Sequence, residues 1–244
     1  MIILFSPSES KNKIATHEPI NCESFVFKHK YNKRIEALNK YQEFIKNCSI
    51  LDLEKFFGVK DINEIHNLSQ NILNQKTIKA IKRYNGVAFE HLDYSSLNAN
   101  SKKYIDENVL IFSNLFGPIL AKDLIPYYKF KQGEKIKDFN IEKFYKENFS
   151  KDIDGLLENK TIIDLRAKFY EKFYTIKQPF ITFVFLKNSK IISHYAKAYR
   201  GIILKILAQH NINTKEEIFN KLPNDLKIKE IKKQGLKEEI VLQV

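Results

Sequence analysis

Residues 108–118 have the sequence Asn-Val-Leu-Ile-Phe-Ser-Asn-Leu-Phe-Gly-Pro, and this stretch decides the class of fold. Its nearly continuous apolar run predicts a buried strand over residues 108–116, and Gly117-Pro118 predicts the turn that follows. Two further apolar runs predict strands as well: Met-Ile-Ile-Leu-Phe at the N-terminus, and Thr-Ile-Ile-Asp-Leu at residues 161–165. The sheet is therefore built from segments that are far apart in the chain.

Helical segments lie between these strands. Apolar side chains near a 3.6-residue period predict helices over residues 31–47, 61–84 and 194–210. Residues 179–186 and 190–193 predict a hairpin around Asn188-Ser189, because β-rich runs flank a short polar turn. This mixture predicts an α+β (mixed α/β) fold, with a mixed sheet and flanking helices.

The composition excludes several classes of protein. With 43% hydrophobic and 13% aromatic residues among 244, the chain can bury a large core and is not a disordered basic tail. Two cysteines, Cys22 and Cys48, are too few for a secreted disulfide scaffold and do not have zinc-module spacing. No run reaches ~18 apolar residues, and the N-terminal run is too short for a signal peptide. We expect a soluble cytoplasmic protein with one domain over residues 1–244 and no membrane partner.

The formal charge of +12 is concentrated in two segments. Residues 172–215 contain eight Lys or Arg and no acidic residue, and residues 65–89 contain four basic residues and again no acid. Such segments are either ordinary solvated faces or a surface for a polyanion, since clustered cations are the electrostatic footprint of phosphate binding. The second alternative requires the cations to share one face.

The first basic segment has the outline of a helix-hairpin-helix. Its four cations are Lys76, Lys79, Lys82 and Arg83. On a helix, the first, second and fourth of these share one face. Asn85-Gly86 then predicts a turn before a second apolar segment, and a glycine there lets a phosphate approach the backbone amides. The alternative is an ordinary corner between two helices.

The second basic segment predicts a helix with one cationic face. His194, Lys197, Gly201 and Lys205 are spaced by three, four and four residues, and Arg200 borders them. Gly201 is unusual because a glycine inside a helix costs ~1 kcal/mol relative to alanine. Either another backbone packs closely against it, or a phosphate or base approaches between the cations.

A second group of polar residues is a candidate lining for a pocket. Its members are Ser6, Ser113, Tyr128, Lys129 and His194. The six histidines show no metal-ligand spacing, and the chain lacks a Walker loop, a dinucleotide-binding glycine pattern and a Gly-x-Ser-x-Gly elbow. We therefore expect no metal and no cofactor, and no catalytic residue is assigned.

Several short motifs occur in order along nearly the whole chain. They are Ile3-Leu4-Phe5-Ser6-Pro7, Ala80-Ile81, Tyr84, Gly86, Phe89, Ser113, Leu115-Phe116-Gly117, Asp123-Leu124, Tyr128, Gly133, Ile191-Ile192-Ser193, Tyr195-Ala196-Lys197 and Arg200-Gly201. The last block, Tyr-Ala-Lys-x-x-Arg-Gly, is the most specific. In these motifs the chain resembles the YaaA peroxide-stress family.

The resemblance implies a cytoplasmic bacterial protein of the response to hydrogen peroxide, which limits free intracellular iron and so protects DNA. It also implies DNA binding, a compact mixed α/β fold, a positively charged cleft, and a helix-hairpin-helix around residues 76–92. The Lys-x-x-Arg-Gly cations of the family correspond to Lys197 and Arg200.

Some positions depart from the family pattern. Glu9 stands where the family often has a lysine, with Lys11 two residues further on. Lys129 replaces an arginine, which keeps the charge but loses bidentate phosphate geometry. Ala167 and Phe169 replace a serine and a glutamate, so any chemistry carried by that block in relatives is expected to be absent.

Together these observations predict a protein that binds duplex, branched or distorted DNA through phosphates, with little sequence preference. The predicted contact residues are Lys76, Lys79, Lys82, Arg83, Asn85, Gly86, Lys197, Arg200, Gly201 and Lys205. The alternative is an enzyme acting on a nucleotide or nucleic-acid base, with the cationic helix holding a phosphate and the candidate pocket residues around it. Direct iron storage lacks support, because no cluster of His or carboxylate residues suggests ligands. No protein partner is indicated.

Overall fold

The computed structural model describes residues 1–187, 190–191 and 195–244. The strands are β1 (Ile2–Phe5), β2 (His17–Pro19), β3 (Lys76–Lys79), β4 (Val109–Ser113), β5 (Gly117–Leu120), β6 (Leu124–Pro126), β7 (Ile162–Asp164), β8 (Phe180–Lys187), β9 (Lys190–Ile191), β10 (Lys227–Gln234) and β11 (Lys237–Gln243). The helices are α1 (Tyr31–Asn47), α2 (Ile50–Phe57), α3 (Ile62–Ser69), α4 (Ala80–Arg83), α5 (Val87–Leu92), α6 (Ala99–Asn108), α7 (Ile141–Leu157), α8 (Ala196–Gln209) and α9 (Lys215–Lys221).

Eight of the described strands form one mixed sheet. Seven of them have the order β10-β11-β8-β7-β1-β4-β5, and β9 pairs with β8. β1 is parallel to β4 and β7, and β8 is parallel to β7 and β11. β1 and β4 are buried along their whole length, because parallel strands are covered on both faces. The predicted mixed α/β class is confirmed.

The elements near the centre of the sheet follow the sequence prediction closely. α1 begins and ends at the predicted residues, and β1, β7 and α8 lie within their predicted ranges. β4 is also confirmed, but the turn comes earlier than predicted, at residues 114–116. The reason is Ser113, whose Oγ accepts hydrogen bonds from the amides of Leu115 and Phe116 and so turns the chain before Gly117.

The helix predicted over the first basic segment is wrong. Lys76–Lys79 is strand β3, which pairs antiparallel with β2 and β6 in a second, three-stranded sheet. Thr77 and Ile78 are both buried, so the ladder and the core override the helical spacing of the cations. Ala80–Arg83 is a single helical turn. The expected helix-hairpin-helix therefore lacks a full first helix.

The C-terminal hairpin is an element that the sequence analysis did not predict. β10 and β11 pair antiparallel, and β11 adds to the sheet in parallel with β8. Every residue of the edge strand β10 is exposed, which explains the weak signal of its lysine-rich sequence. In the other hairpin, β8 and β9 pair as predicted, while Asn188 and Ser189 at its turn lie outside the described residues.

Helices α5 and α8 pack directly against each other. A Cβ placed on Gly201 would lie 2.0 Å from the carbonyl oxygen of Ala88 and 3.1 Å from the amide nitrogen of Leu92. Close packing of another backbone is therefore the alternative that applies to Gly201, and the glycine is not open to a phosphate. One cluster of buried apolar side chains extends from Ile2 to Leu242, while the division into domains stays a prediction.

A buried arginine connects helix α1 to the segment around Val26 and to strand β5. Arg34 of α1 is completely buried and lies between the rings of Phe25 and Phe149, with its guanidinium carbon 5.4 and 4.8 Å from their centres. It donates hydrogen bonds to the carbonyl oxygens of Val26 (2.8 Å) and Pro118 (2.7 Å). Arg34 therefore stabilises the packing of these segments, and its charge is not part of the protein surface.

We expect Gly201→Ala to lower the free energy of unfolding by about 1–3 kcal/mol, because the added methyl group overpacks the contact between α5 and α8. Gly155→Ala is the matched control in helix α7, where an added Cβ has nothing within 4 Å. It should raise stability by up to ~1 kcal/mol. Chemical denaturation measures both values, and equal effects of the two substitutions would contradict the role of Gly201.

Candidate functional site

The candidate site is a pocket of about 290 Å³ at the carboxyl ends of β1 and β7, called here the β1/β7 pocket. Its lining comes from five parts of the chain. These are Phe5–Glu9 after β1, Gly86–Phe89 at the start of α5, Gln132, the group Leu165, Ala167 and Tyr170 after β7, and the α8 pair Lys197 and Arg200. The pocket therefore joins the strand ends to both basic segments.

The position of this pocket follows from the topology of the sheet. From β1, the chain proceeds to β4 on one side, whereas β7 and β8 lie on the other side of β1. In open α/β sheets, ligands bind outside the carboxyl ends of the strands where the direction of winding reverses. The order of strands thus predicts a ligand site between the ends of β1 and β7.

Two cations of α8 face this pocket. Lys197 is exposed and Arg200 is half-buried, and both line the pocket. Within the described residues, neither has a hydrogen-bond or ion-pair partner. Burial lowers the pKa of Arg200, and the carboxylate of Asp164 opposes that shift. An arginine remains protonated at neutral pH, so the lining holds two cations beside the single carboxylate of Glu9 and can attract an anion.

The loop after β1 supplies hydroxyl groups to the same pocket. The Oγ of Ser6 accepts a hydrogen bond from the amide of Ala167 at 2.8 Å, which leaves its hydroxyl hydrogen to donate. The Oγ of Ser8 donates to the carbonyl of Asn85 at 3.0 Å and would lie 2.4 Å from a Cβ on Gly86. Gly86 therefore lets the serine loop lie against the start of α5.

Lys11 lies behind the pocket wall and was not among the predicted site residues. Its buried Nζ donates to the carbonyl oxygens of Ser8 (3.1 Å) and Glu9 (3.2 Å), which belong to the pocket wall. It lies 4.3 Å from the centre of the Tyr128 ring. Burial and the charge of Lys129 lower the pKa of Lys11 to about 7, while Glu9 opposes the shift. Its sequence signals were a position soon after a strand end and a place two residues beyond the family's usual lysine.

Two cations of the first basic segment serve the fold. Arg83 is completely buried and donates to the carbonyls of Ile125 (3.3 Å) and Asn12. Burial lowers its pKa to about 10. Lys79 forms an ion pair with Asp106. The prediction that Arg83 is a surface phosphate contact is wrong, because its guanidinium is needed to satisfy carbonyls inside the protein.

The remaining predicted contact residues are spread over the surface. Lys76, Lys82 and Asn85 are exposed. Lys205 pairs with Asp93 at 3.3 Å. The structure thus brings Gly86, Lys197 and Arg200 together in one pocket, but it does not bring all the basic residues there.

The candidate pocket residues of the alternative function are only partly brought together. Ser6 lines the β1/β7 pocket, but Ser113 and Tyr128 are buried beneath the surface. The hydroxyl of Tyr128 lies 2.9 Å from both the Oγ of Ser113 and the hydroxyl of Tyr84. Lys129 is partly exposed and is absent from the lining, and His194 lies outside the described residues.

Two further properties concern the whole described part of the chain. It contains no helix that is long and apolar enough to cross a membrane. Its His, Cys, Asp and Glu side chains do not form a group of three or more that could hold a metal ion.

Comparison with known proteins gives consistent matches. The family model described as "Peroxide stress protein YaaA" matches residues 1–231. A Campylobacter jejuni protein, described as uncharacterized, is 54% identical over 244 residues, which cover 100% of this chain and 99% of that protein. A UPF0246 protein of Fusobacterium nucleatum is 29% identical over 89% of each chain. Another, from Malacoplasma penetrans, is 28% identical over 87% of this chain and 88% of its own.

The family match extends from β1 into β10 and so includes every segment that lines the β1/β7 pocket. The chain belongs to the YaaA family of peroxide stress proteins.

Proposed function

We propose that this protein acts in the peroxide-stress response in the cytoplasm, where it binds duplex or distorted DNA through phosphate contacts and helps to lower free intracellular iron. The observation that carries the DNA-binding proposal is the pair Lys197 and Arg200, which face one pocket without a partner among the described residues. Cations held in this way attract phosphate and make few sequence-specific contacts.

The surroundings of the pair also support a phosphate ligand. Arg200 offers a planar set of donors that can bind two oxygen atoms at once, and Lys197 adds a mobile charge at the mouth of the pocket. Ser6 has a hydroxyl hydrogen to donate. A phosphate held by these three groups would be fixed in orientation as well as in charge.

A second groove adjoins the β1/β7 pocket near the Gly86 turn. Lys82 and Asn85 line it, and Phe89 lines both the groove and the β1/β7 pocket. Glu90 and Asp93 also line the groove and would repel a phosphate backbone at their end. We propose that the basic cleft consists of the pocket and the Lys82 side of this groove.

Binding to a labelled DNA duplex should weaken as salt increases, with a slope of about −0.9 in log K against log salt per neutralised phosphate. Lys197→Met removes an exposed cation of the pocket, so it should weaken binding and make the slope shallower by about 1. The affinity should change by a similar factor for unrelated DNA sequences. Fluorescence anisotropy at several salt concentrations measures these effects.

The matched control is Lys151→Met, which removes an exposed cation of α7 away from the pocket lining. It should leave both affinity and salt slope close to those of the original protein. Equal losses in Lys197→Met and Lys151→Met would show a diffuse charge effect, and the proposed pocket would be wrong. An affinity for DNA that does not change with salt concentration would refute the proposed phosphate contacts.

A second candidate function is an enzyme that acts on a nucleotide or nucleic-acid base. The observation that favours it is the buried amine of Lys11 behind the Ser8 and Glu9 wall of the pocket. An amine whose pKa is lowered to about 7 can accept or donate a proton near neutral pH. Lys197 and Arg200 would then hold the phosphate of the substrate.

If Lys11 is the proton acceptor, turnover of nucleoside phosphates should rise as pH increases through about 7, because only the neutral amine can take a proton. Lys11→Met should abolish turnover but leave nucleotide affinity within about twofold. Lys13→Met is the control, since Lys13 is exposed and paired with Glu64. Chromatographic product analysis measures turnover, and an unchanged pH profile in Lys11→Met would exclude this role.

A further inference from the structure

We infer that the β1/β7 pocket binds a terminal phosphomonoester, either at the end of a DNA strand or on a mononucleotide, in preference to an internal phosphodiester. This inference rests on the proposed phosphate-binding function and names the chemical class of its ligand. The inference is based on two cations, the half-buried Arg200 and the exposed Lys197, which line one small pocket between two strand ends.

The size of the pocket limits which phosphate can enter. Its volume of about 290 Å³ is near the lower end of small-molecule sites. An internal phosphate carries a sugar on each side, so the strand would have to enter and leave the same pocket. A terminal phosphate has one attached sugar and can reach Arg200 alone.

The charge of the pocket matches a monoester better than a diester. A phosphomonoester carries about −1.5 to −2 charges at pH 7, whereas an internal phosphodiester carries one. Lys197 and Arg200 supply two positive charges, and the carboxylates of Glu9 in the lining and of Asp164 near Arg200 oppose part of that charge. A contact with both cations therefore attracts a terminal phosphate, with its higher charge, more strongly than an internal phosphate.

The walls of the pocket indicate where the rest of the ligand lies. Glu9 is exposed and contributes a carboxylate to the lining, which repels a phosphate backbone passing on that side. Val87 is an exposed apolar residue on the α5 side, with Phe89 behind it. A sugar or base attached to the phosphate can pack against Val87 while the phosphate contacts the cations.

The test compares three DNA ligands of one sequence: a duplex with 5′-phosphates, the same duplex with 5′-hydroxyl ends, and a duplex closed by hairpin loops at both ends. We expect the 5′-phosphorylated duplex to bind at least about tenfold tighter than the other two. A deoxynucleoside 5′-monophosphate should compete for binding, and the matching nucleoside should not. A duplex with 3′-phosphates shows which terminus is preferred.

Lys197→Met should reduce the preference for phosphorylated ends, and Lys151→Met should retain it. Lys197 is exposed, so its substitution tests the pocket without disturbing the core. Equal affinity for all three duplexes would overturn the terminal-phosphate inference and leave DNA binding intact. If the mononucleotide binds and none of the DNA ligands binds, the ligand class is upheld and the DNA-binding function is refuted. If neither the mononucleotide nor any DNA ligand binds, the terminal-phosphate inference and the proposed DNA binding are both refuted.

Discussion

Helices α5 and α8 approach so closely that a single methyl group on Gly201 would overlap the carbonyl oxygen of Ala88. This contact positions the candidate site, because Gly86 directly precedes α5 and Lys197 and Arg200 occupy the first turns of α8. The two helices belong to distant parts of the chain, and their contact sets both against the ends of β1 and β7. Gly201, which was also a predicted contact residue, is thus the reason that two segments of the candidate site meet.

Some of the cations lie inside the protein and serve the fold. Arg34 and Arg83 are completely buried and donate to backbone carbonyls. Arg166, at the end of β7, holds Asp164 through two hydrogen bonds of 2.8 and 3.0 Å. Burial of a guanidinium is costly, and hydrogen bonds to otherwise unpaired carbonyls offset that cost. Of these three arginines, Arg83 belongs to an acid-free segment, so the cations of that segment are not all available on the surface.

The sequence predicted the elements whose own pattern agrees with their place in the fold. Residues 31–47 have a helical period and an apolar face toward the core, and they form α1 without any shift of its ends. Residues 76–83 have helical spacing of their cations, yet Thr77 and Ile78 are buried between β2 and β6 as part of a sheet. The partners of that strand lie about 60 residues earlier and about 50 residues later in the chain, so no local pattern could reveal them. β10 was missed for a related reason, since its pairing with β11 is not encoded in apolar alternation.

The sequence by itself determined the class of fold, the family and the two acid-free segments, because these depend only on the order and type of residues. It also identified Lys197, Arg200 and Gly86, whose motifs are local. Only the tertiary structure decided which cations remain available, since burial and pairing are set by residues far apart in the chain. Lys11 became notable in the same way: its two hydrogen bonds are local, but its burial against Tyr84 and Tyr128 exists only after folding. Desolvation and pairing depend on neighbours in space, and those neighbours assemble only when the chain has folded.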